Sequence, residues 1–227
     1  MDRIKILYCS YREWAKEILM YTEFFIDEMY SELNVDITHI QSTEQLLALD
    51  LTTYDLLFFI GWSDIVPDHI INEKLCICLH PSPLPKYRGG SPIQNQIING
   101  DYDSAITFFV MDRGLDTGDI IYQVPIELRG ELSDIFFKII QLSYPVIAKI
   151  IFDFAISSNV PRTPQNHELA TLCKRRTKSM SEIHIDDFSN YTAIQLYDKI
   201  RSLQDPYPNA YIQCKDGTIL YLLKARI

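Results

Sequence analysis

Two periodicities of apolar and polar positions run along the chain. Ile4-Lys5-Ile6-Leu7-Tyr8-Cys9 is a short run rich in β-formers. Glu13 to Tyr30 follows, with Ile18, Tyr21, Phe24, Phe25 and Met29 at helical spacing. Val35 to Ile40 alternates and predicts a second strand. Ser42 to Ala48 predicts a short helix, with Ser42 and Gln45 in capping-box spacing. Asp55 to Ile60 suits a strand buried on both faces. Leu75 to Leu79 is another apolar run and ends at His80. Ala105 to Met111 and Ile120 to Leu128 predict two more strands, and Asp134 to Ala155 a long helix. Strands alternating with helices predict an α/β fold: a mostly parallel sheet with helices on both faces. Ligands of such sheets sit beyond the carboxyl ends of the strands. The segments after Ile60, Leu79 and Met111 are therefore where chemistry is expected.

The pattern changes near Ser157. Residues 157–182 are polar, with several Lys and Arg, and read as a connector. A helix (Ala193 to Leu203) follows, then Asp205-Pro206-Tyr207-Pro208. A β-hairpin comes last, with strands Ala210 to Cys214 and Thr218 to Leu223 around an Asp216-Gly217 turn signal. The expected organisation is a main domain over 1–180 and a short appendage over 181–227. A length of 227 residues, 47% of them hydrophobic, suits that division.

Composition narrows the function. A net charge of −9 argues against a polyanion such as nucleic acid as partner. It leaves room for a small phosphorylated substrate, which needs two or three placed cations. Five scattered cysteines (Cys9, Cys76, Cys78, Cys173, Cys214) predict free thiols and a cytoplasmic protein rather than a disulfide framework. The Met-Asp-Arg-Ile-Lys start lacks signal-peptide architecture. The longest apolar stretch, Ser143 to Ser157, contains Lys149 and Asp153 and reads as a buried helix, so no membrane partner is expected.

The most informative segment is His80-Pro81-Ser82-Pro83-Leu84-Pro85-Lys86-Tyr87-Arg88-Gly89-Gly90-Ser91-Pro92. Three prolines stiffen the chain just after a strand end. Arg88-Gly89-Gly90 permits close backbone approach to a ligand. Ser91 and Pro92 suit the N-cap and first position of a helix, whose N-terminus beside an Arg favours anions. Taken alone, this stretch also reads as a proline-rich surface turn, and His80 as a strand-end histidine bonded to backbone. A second candidate segment is Asp112-Arg113-Gly114-Leu115-Asp116-Thr117-Gly118-Asp119, in which Asp116 alone reads as a turn residue.

These two segments, in this order, resemble the paired signatures of the formyltransferases that use N10-formyltetrahydrofolate. Gly61-Trp62-Ser63-Asp64-Ile65-Val66-Pro67 is similar to that family's folate-side loop. Ile200 to Ala210 resembles the end piece of its nucleotide-sugar branch. The resemblance implies a Rossmann-like fold and attack of a substrate amine on the formyl carbon, through a tetrahedral intermediate with a negatively charged oxygen. It implies proton transfer by His80, which an imidazole titrating near neutrality suits, with Asp116 orienting it. It implies Trp62, Ile65, Val66, Pro67, Met111, Asp112 and Leu115 on the folate side, and Ser10, Lys86, Tyr87, Arg88, Gly89, Gln94 and Tyr207 on the acceptor side.

One position departs from the family. An Asn usually stands two residues before the His and helps to hold the oxyanion; here it is Cys78. A thiol is a weak donor. Another donor fills the role, or activity is reduced, or the chain is a non-catalytic binder of folate or nucleotide sugar. Cys76, Cys78 and His80 alternate onto one strand face, but three ligands in a row cannot surround an ion tetrahedrally, so no metal is expected.

The resemblance points to a dTDP-linked amino sugar as acceptor, 4-amino-4,6-dideoxyglucose or a 3-amino relative, for surface polysaccharide (O-antigen) synthesis. Lys86 or Arg88 would meet the diphosphate, and Tyr87 or Tyr207 would stack on the base. Methionyl-tRNA and glycinamide ribonucleotide are the alternative acceptors. A hairpin is marginal alone, so Tyr211, Leu220 and Leu222 need cover, and a homodimer through the tail is expected.

Overall fold

The computed structural model describes residues 3–227. Met1 and Asp2 of the N-terminal run read above lie outside them. The chain opens with β1 (Ile4–Cys9), α1 (Glu13–Met29), β2 (Val35–Ile40), α2 (Thr43–Ala48), β3 (Leu56–Phe59), α3 (Asp68–Glu73) and β4 (Leu75–His80). Next come β5 (Arg88–Gly89), α4 (Pro92–Ile98), β6 (Asp103–Val110), β7 (Ile120–Glu127) and α5 (Leu132–Ser157). The remainder is β8 (Leu172–Cys173), α6 (Asp187–Asn190), α7 (Ala193–Ser202), β9 (Ala210–Gln213) and β10 (Ile219–Leu222).

Six strands form the central sheet in the order β2-β1-β3-β4-β6-β7. The first four are mutually parallel, while β6 runs antiparallel to both β4 and β7. The expected mostly parallel α/β sheet is present, and each strand lies within two residues of its expected ends.

Strand alternation divides the core in two. Ile6, Tyr8, Phe58, Ile77, Leu79 and Phe108 face α1 and α5. Leu7, Cys9, Leu57, Phe59 and Cys76 face the other way, under Leu46 of α2 and Ile70 of α3. Helices thus cover both faces, one heavily and one lightly.

In α1 the buried positions are Ala15, Ile18, Leu19, Thr22 and Ile26, whereas Phe24 and Met29 are exposed. At 3.6 residues per turn, 15-18-19-22-26 is one stripe, and Phe24 and Met29 fall off it. Helix α5 starts two residues before its expected range and ends two after it. Glu131 and Asp134 close a reciprocal capping box at its start. It is the one described helix long and apolar enough to cross a membrane, and half of that stretch is buried against the rest of the molecule. Tyr30 of the α1 end stacks on its Phe152 at 4.6 Å, and Trp14 on its Phe136 at 5.5 Å.

The supposed connector is packed structure. Thr163 bridges Ile120, β8 pairs with β5, and Val160, Gln165 and Ser181 are buried. Its polar residues mislead because their partners are backbone groups of distant loops. Beyond it, Ile183, Leu203 and Ala210 form a small separate core with Leu196, Ile200, Ile212 and Leu222. Leu222 is covered there and Tyr211 is buried beside Tyr221, while Leu220 is 54% exposed. The hairpin closes through Lys215-Asp216-Gly217, with Gly217 at φ 82° supplying the left-handed residue of a three-residue turn.

Candidate active site

The site is built on the lightly covered face of the sheet. Pleating sends Ile77 and Leu79 into the α1/α5 core and Cys76, Cys78 and His80 to the opposite side. The segment after β6 does reach the site, through Asp116, although not from the carboxyl end of a parallel strand. Because β6 is antiparallel to β4, Val110 pairs with Ile77, and Met111 N–H donates to Cys76 O at 2.8 Å. That end lies four residues, roughly 13 Å of strand, back from His80. The loop after it, 111–119, returns Asp116 to His80.

His80 is 6% exposed. Its Nε2–H donates to the Tyr87 carbonyl at 2.8 Å, and Asp116 Oδ2 stands 3.5 Å from Nδ1. A carbonyl only accepts, so Nε2 carries the proton and Nδ1 is the basic nitrogen. The plain expectation of a strand-end histidine bonded to backbone is thus met at one nitrogen, and the expected Asp116 partner stands at the other. Asp116 Oδ2 also accepts from Gly89 N–H at 2.8 Å.

The His loop is stiff. Ser82 N–H returns to His80 O, Leu84 N–H to Ser82 O, and Ser82 Oγ donates to Lys86 O at 2.8 Å. Tyr87 and Asp116 have φ of 59° and 53°, the left-handed region that non-glycine residues rarely occupy. Here that conformation turns the Tyr87 carbonyl and the Asp116 carboxylate toward the same imidazole.

Cys78 lies beneath this arrangement. Burial pushes its thiol well up, and Asp116 and Cys76 push it further. Its Sγ contacts Leu79 O at 3.7 Å. A thiol held protonated does not suit a nucleophile. The described residues include no cluster of three potential metal ligands.

Several of the residues expected on the folate side lie together. Trp62, Val66 and Met111 share one apolar cluster with Cys78, and Pro67 caps α3 beside them. Ile65 is 91% exposed and Leu115 62%. Asp112 Oδ1 accepts from Gly114 N–H at 3.0 Å and from Thr117 Oγ1 at 2.5 Å, so it shapes its own loop. Trp62 Nε1 is buried without an acceptor.

Most of the residues expected on the acceptor side already have partners within the protein. Ser10 is fully buried and bonded to His39 Nε2 at 2.9 Å, because it continues β1 inward. Arg88 is 5% exposed; Nε and one amino group bind Gln165 Oε1, and that amino group also reaches His167 Nδ1 at 3.1 Å, which engages it within the protein. Tyr87 gives its hydroxyl to Asp101 and also takes a bond from Asn99. Tyr207 is stacked on Phe136 at 5.9 Å with its ring planes 6° apart, and burial raises its phenol. Lys86 is exposed, and Gln94 is 97% buried with Nε2 unpartnered.

Gly89 and Gly90 are explained by the protein itself. A Cβ on Gly89 would lie 2.4 Å from Cys173 O, and one on Gly90 2.5 Å from Arg175 Cβ. The close backbone approach expected of a ligand is made by the 172–175 segment. Ser91 is the N-cap residue of α4, but its hydroxyl accepts from Arg176 N–H at 3.1 Å instead of capping the helix. Gln165, Thr171 and Cys173, which support the site from this segment, were missed; nothing in their spacing marks them.

A buried His–Asp pair thus stands between two loops on a mostly parallel α/β sheet. Residues 28–134, just under half of the chain, are similar to the family model described as Formyl transferase. It is 33% identical over 160 residues to the methionyl-tRNA formyltransferase of Campylobacter curvus, covering 70% of this chain and 50% of that protein. The chain spans about half the length of the curated relatives it matches. Among solved structures, the methionyl-tRNA formyltransferase from Clostridium thermocellum superposes with a TM-score of 0.74 at 27% identity, over 96% of both chains. The sugar N-formyltransferase from Shewanella sp. shares the fold, with a TM-score of 0.78 at 19% identity over 99% of this chain and 98% of that one.

Proposed function

We propose that this chain transfers a formyl group from N10-formyltetrahydrofolate to the amino group of a nucleotide-linked amino-deoxy sugar. A dTDP-linked 4-amino-4,6-dideoxyglucose or 3-amino relative, used in surface polysaccharide, is the specific acceptor proposed. The carrying observation is the His80–Asp116 pair, with Nδ1 free to take a proton and a carboxylate 3.5 Å away to hold the resulting imidazolium. His80 accepts the proton of the attacking amine at Nδ1 and returns it to the departing nitrogen. Asp116, anchored by Gly89 N–H, keeps the imidazole in register.

The residues on the folate side fit a flat heteroaromatic ring. Two large apolar side chains, Ile65 and Leu115, are exposed, and the Trp62 indole N–H lacks an acceptor. The bound donor would supply an activated formyl carbon and a nitrogen leaving group.

For the acceptor, the charge of −9 favours a small phosphorylated amine over a polyanion, and exposed Lys86 is the loop cation proposed to meet its diphosphate. Methionyl-tRNA is the second reading, because the matching curated relatives bear that name. The proposal includes catalysis by residues 1–180, a homodimer built on 181–227, and a cytoplasmic location. Supporting these are the small separate core, exposed Leu220 and Leu223 on the hairpin, and five free thiols. The test is turnover with N10-formyltetrahydrofolate against dTDP- and UDP-amino sugars, glycinamide ribonucleotide and charged initiator tRNA. Formylated sugar is expected; formylated tRNA alone would replace the acceptor. Tight binding of donor and sugar without turnover would make the chain a binding protein.

A further inference from the structure

Gln165 lies outside both signature segments, 49 residues beyond Asp116, yet its side chain touches both. It is 94% buried. Its Nε2 donates to Asp116 O at 3.0 Å and to Gly118 O at 2.7 Å. Its Oε1 accepts from Arg88 Nε at 3.2 Å and from an Arg88 amino group at 2.5 Å. Both amide hydrogens and both oxygen lone pairs are used, so a single side chain is fully satisfied by two separate loops.

We propose that Gln165 is a positioning residue that sets the distance between Asp116 and His80. The connection closes a ring. Gln165 holds Arg88; the next residue, Gly89, donates its N–H to the Asp116 carboxylate; Gln165 in turn holds the Asp116 carbonyl. Asp116 is in the left-handed region, a conformation that costs on the order of 1–3 kcal/mol and persists where its surroundings over-determine it. Gln165 supplies that constraint by gripping carbonyls on both sides of Thr117. Glu lacks the donors, an apolar side chain lacks donors and acceptor alike, and Asn carries the same amide on a stem one methylene shorter. Arg88 has no carboxylate within ion-pair distance among the described residues, so the amide oxygen and His167 carry its desolvation.

The inference rests on the reading of His80 and Asp116 as the working pair, and its test has two arms. In the first, Gln165→Glu keeps the acceptor for Arg88 and loses both donors, while Gln165→Met loses everything at similar length. In both, kcat for formyl transfer is expected to fall about 10- to 100-fold, with KM for the donor within about threefold, since misplacement near 1 Å can cost about 10²-fold.

The second arm needs no turnover. The His80 ring resonances are recorded by NMR, with and without Asp116→Asn, in the parent and in Gln165→Glu. The titratable groups around His80 are Asp116 at Nδ1, the Cys78 thiol two residues back on the same strand face, and the Cys173 thiol, which shares the Tyr87 carbonyl with Nε2. Asp116→Asn is expected to displace the His80 ring chemical shifts in the parent, and by less than half as much in the Gln165→Glu background. An equal displacement in both, or a variant that loses only melting temperature while keeping kcat, overturns the proposal. A parent inactive with every acceptor would overturn the proposed function, while the NMR arm still decides on Gln165.

Discussion

The two faces of the central sheet do different work. One buries Tyr8, Phe58 and Phe108 with Ile77 and Leu79 beneath the long helices α1 and α5. The other carries Cys76, Cys78 and His80 beneath two short helices and the loops around Trp62 and Met111. Strand β4 contributes to both, through alternate residues. A long helix covers apolar surface continuously and leaves no opening for a ligand. Short helices and loops leave the ends of side chains within reach. The heavily covered face therefore carries the larger core, and the lightly covered face carries the proposed site.

That division can be broken by substitutions on either side. The largest expected effect is on the chemical face: His80→Ala should lower formyl transfer by about 10²- to 10⁴-fold while leaving the melting temperature within a few degrees, read by steady-state kinetics and calorimetry. On the other face, Phe58→Ala should cost about 3–5 kcal/mol in urea unfolding, with kcat preserved in the fraction that stays folded. A rate loss there equal to that of His80→Ala would erase the distinction.

Cys78→Asn sharpens it further. If another N–H holds the oxyanion, the rate should change by less than about tenfold. A gain on the order of 10²–10³-fold would identify the thiol as a missing donor. The smallest effect is chemical. Burial and the nearby Asp116 carboxylate push the Cys78 thiol well up, so below its raised titration point it stays protonated. Iodoacetamide at pH 8 should label exposed Cys214 and leave Cys78 unlabelled in the native protein, as mass spectrometry would show. Rapid labelling of Cys78 would mean that this face opens to solvent.

The appendage gives a related test of assembly. Leu220→Lys on the exposed hairpin strand should shift a dimer toward monomer in sedimentation without unfolding the chain. A dimer unchanged by it would place the interface elsewhere.

Much of the fold was legible because strand and helix periods are local. Residues two apart share a strand face, so Cys76, Cys78 and His80 were read together correctly. The Ser42 cap was legible for the same reason, and its hydroxyl does accept from Gln45 N–H at 3.3 Å. The paired loops around His80 and Asp116 were legible as motifs, and the structure brings them within 3.5 Å of each other. Burial was less legible. Ser10, Arg88 and Tyr207 look like ligand contacts in a linear chain, yet each is bonded or stacked inside the protein. Which of several polar partners a side chain takes depends on chain segments brought together from far away.

By itself, then, the sequence determined the element order, the alternation of the sheet and the residue types at the reacting centre, all set by periodicity and short motifs. Tertiary structure alone decided that β6 runs antiparallel, which carries its end away from His80 and makes the 111–119 loop return. It alone decided that the polar stretch after α5 becomes a strap, with Gln165 bonded to both loops and Cys173 against Gly89. The physical reason is the same in both cases. Hydrogen bonds between residues 47 to 86 positions apart leave no period in the chain that makes them.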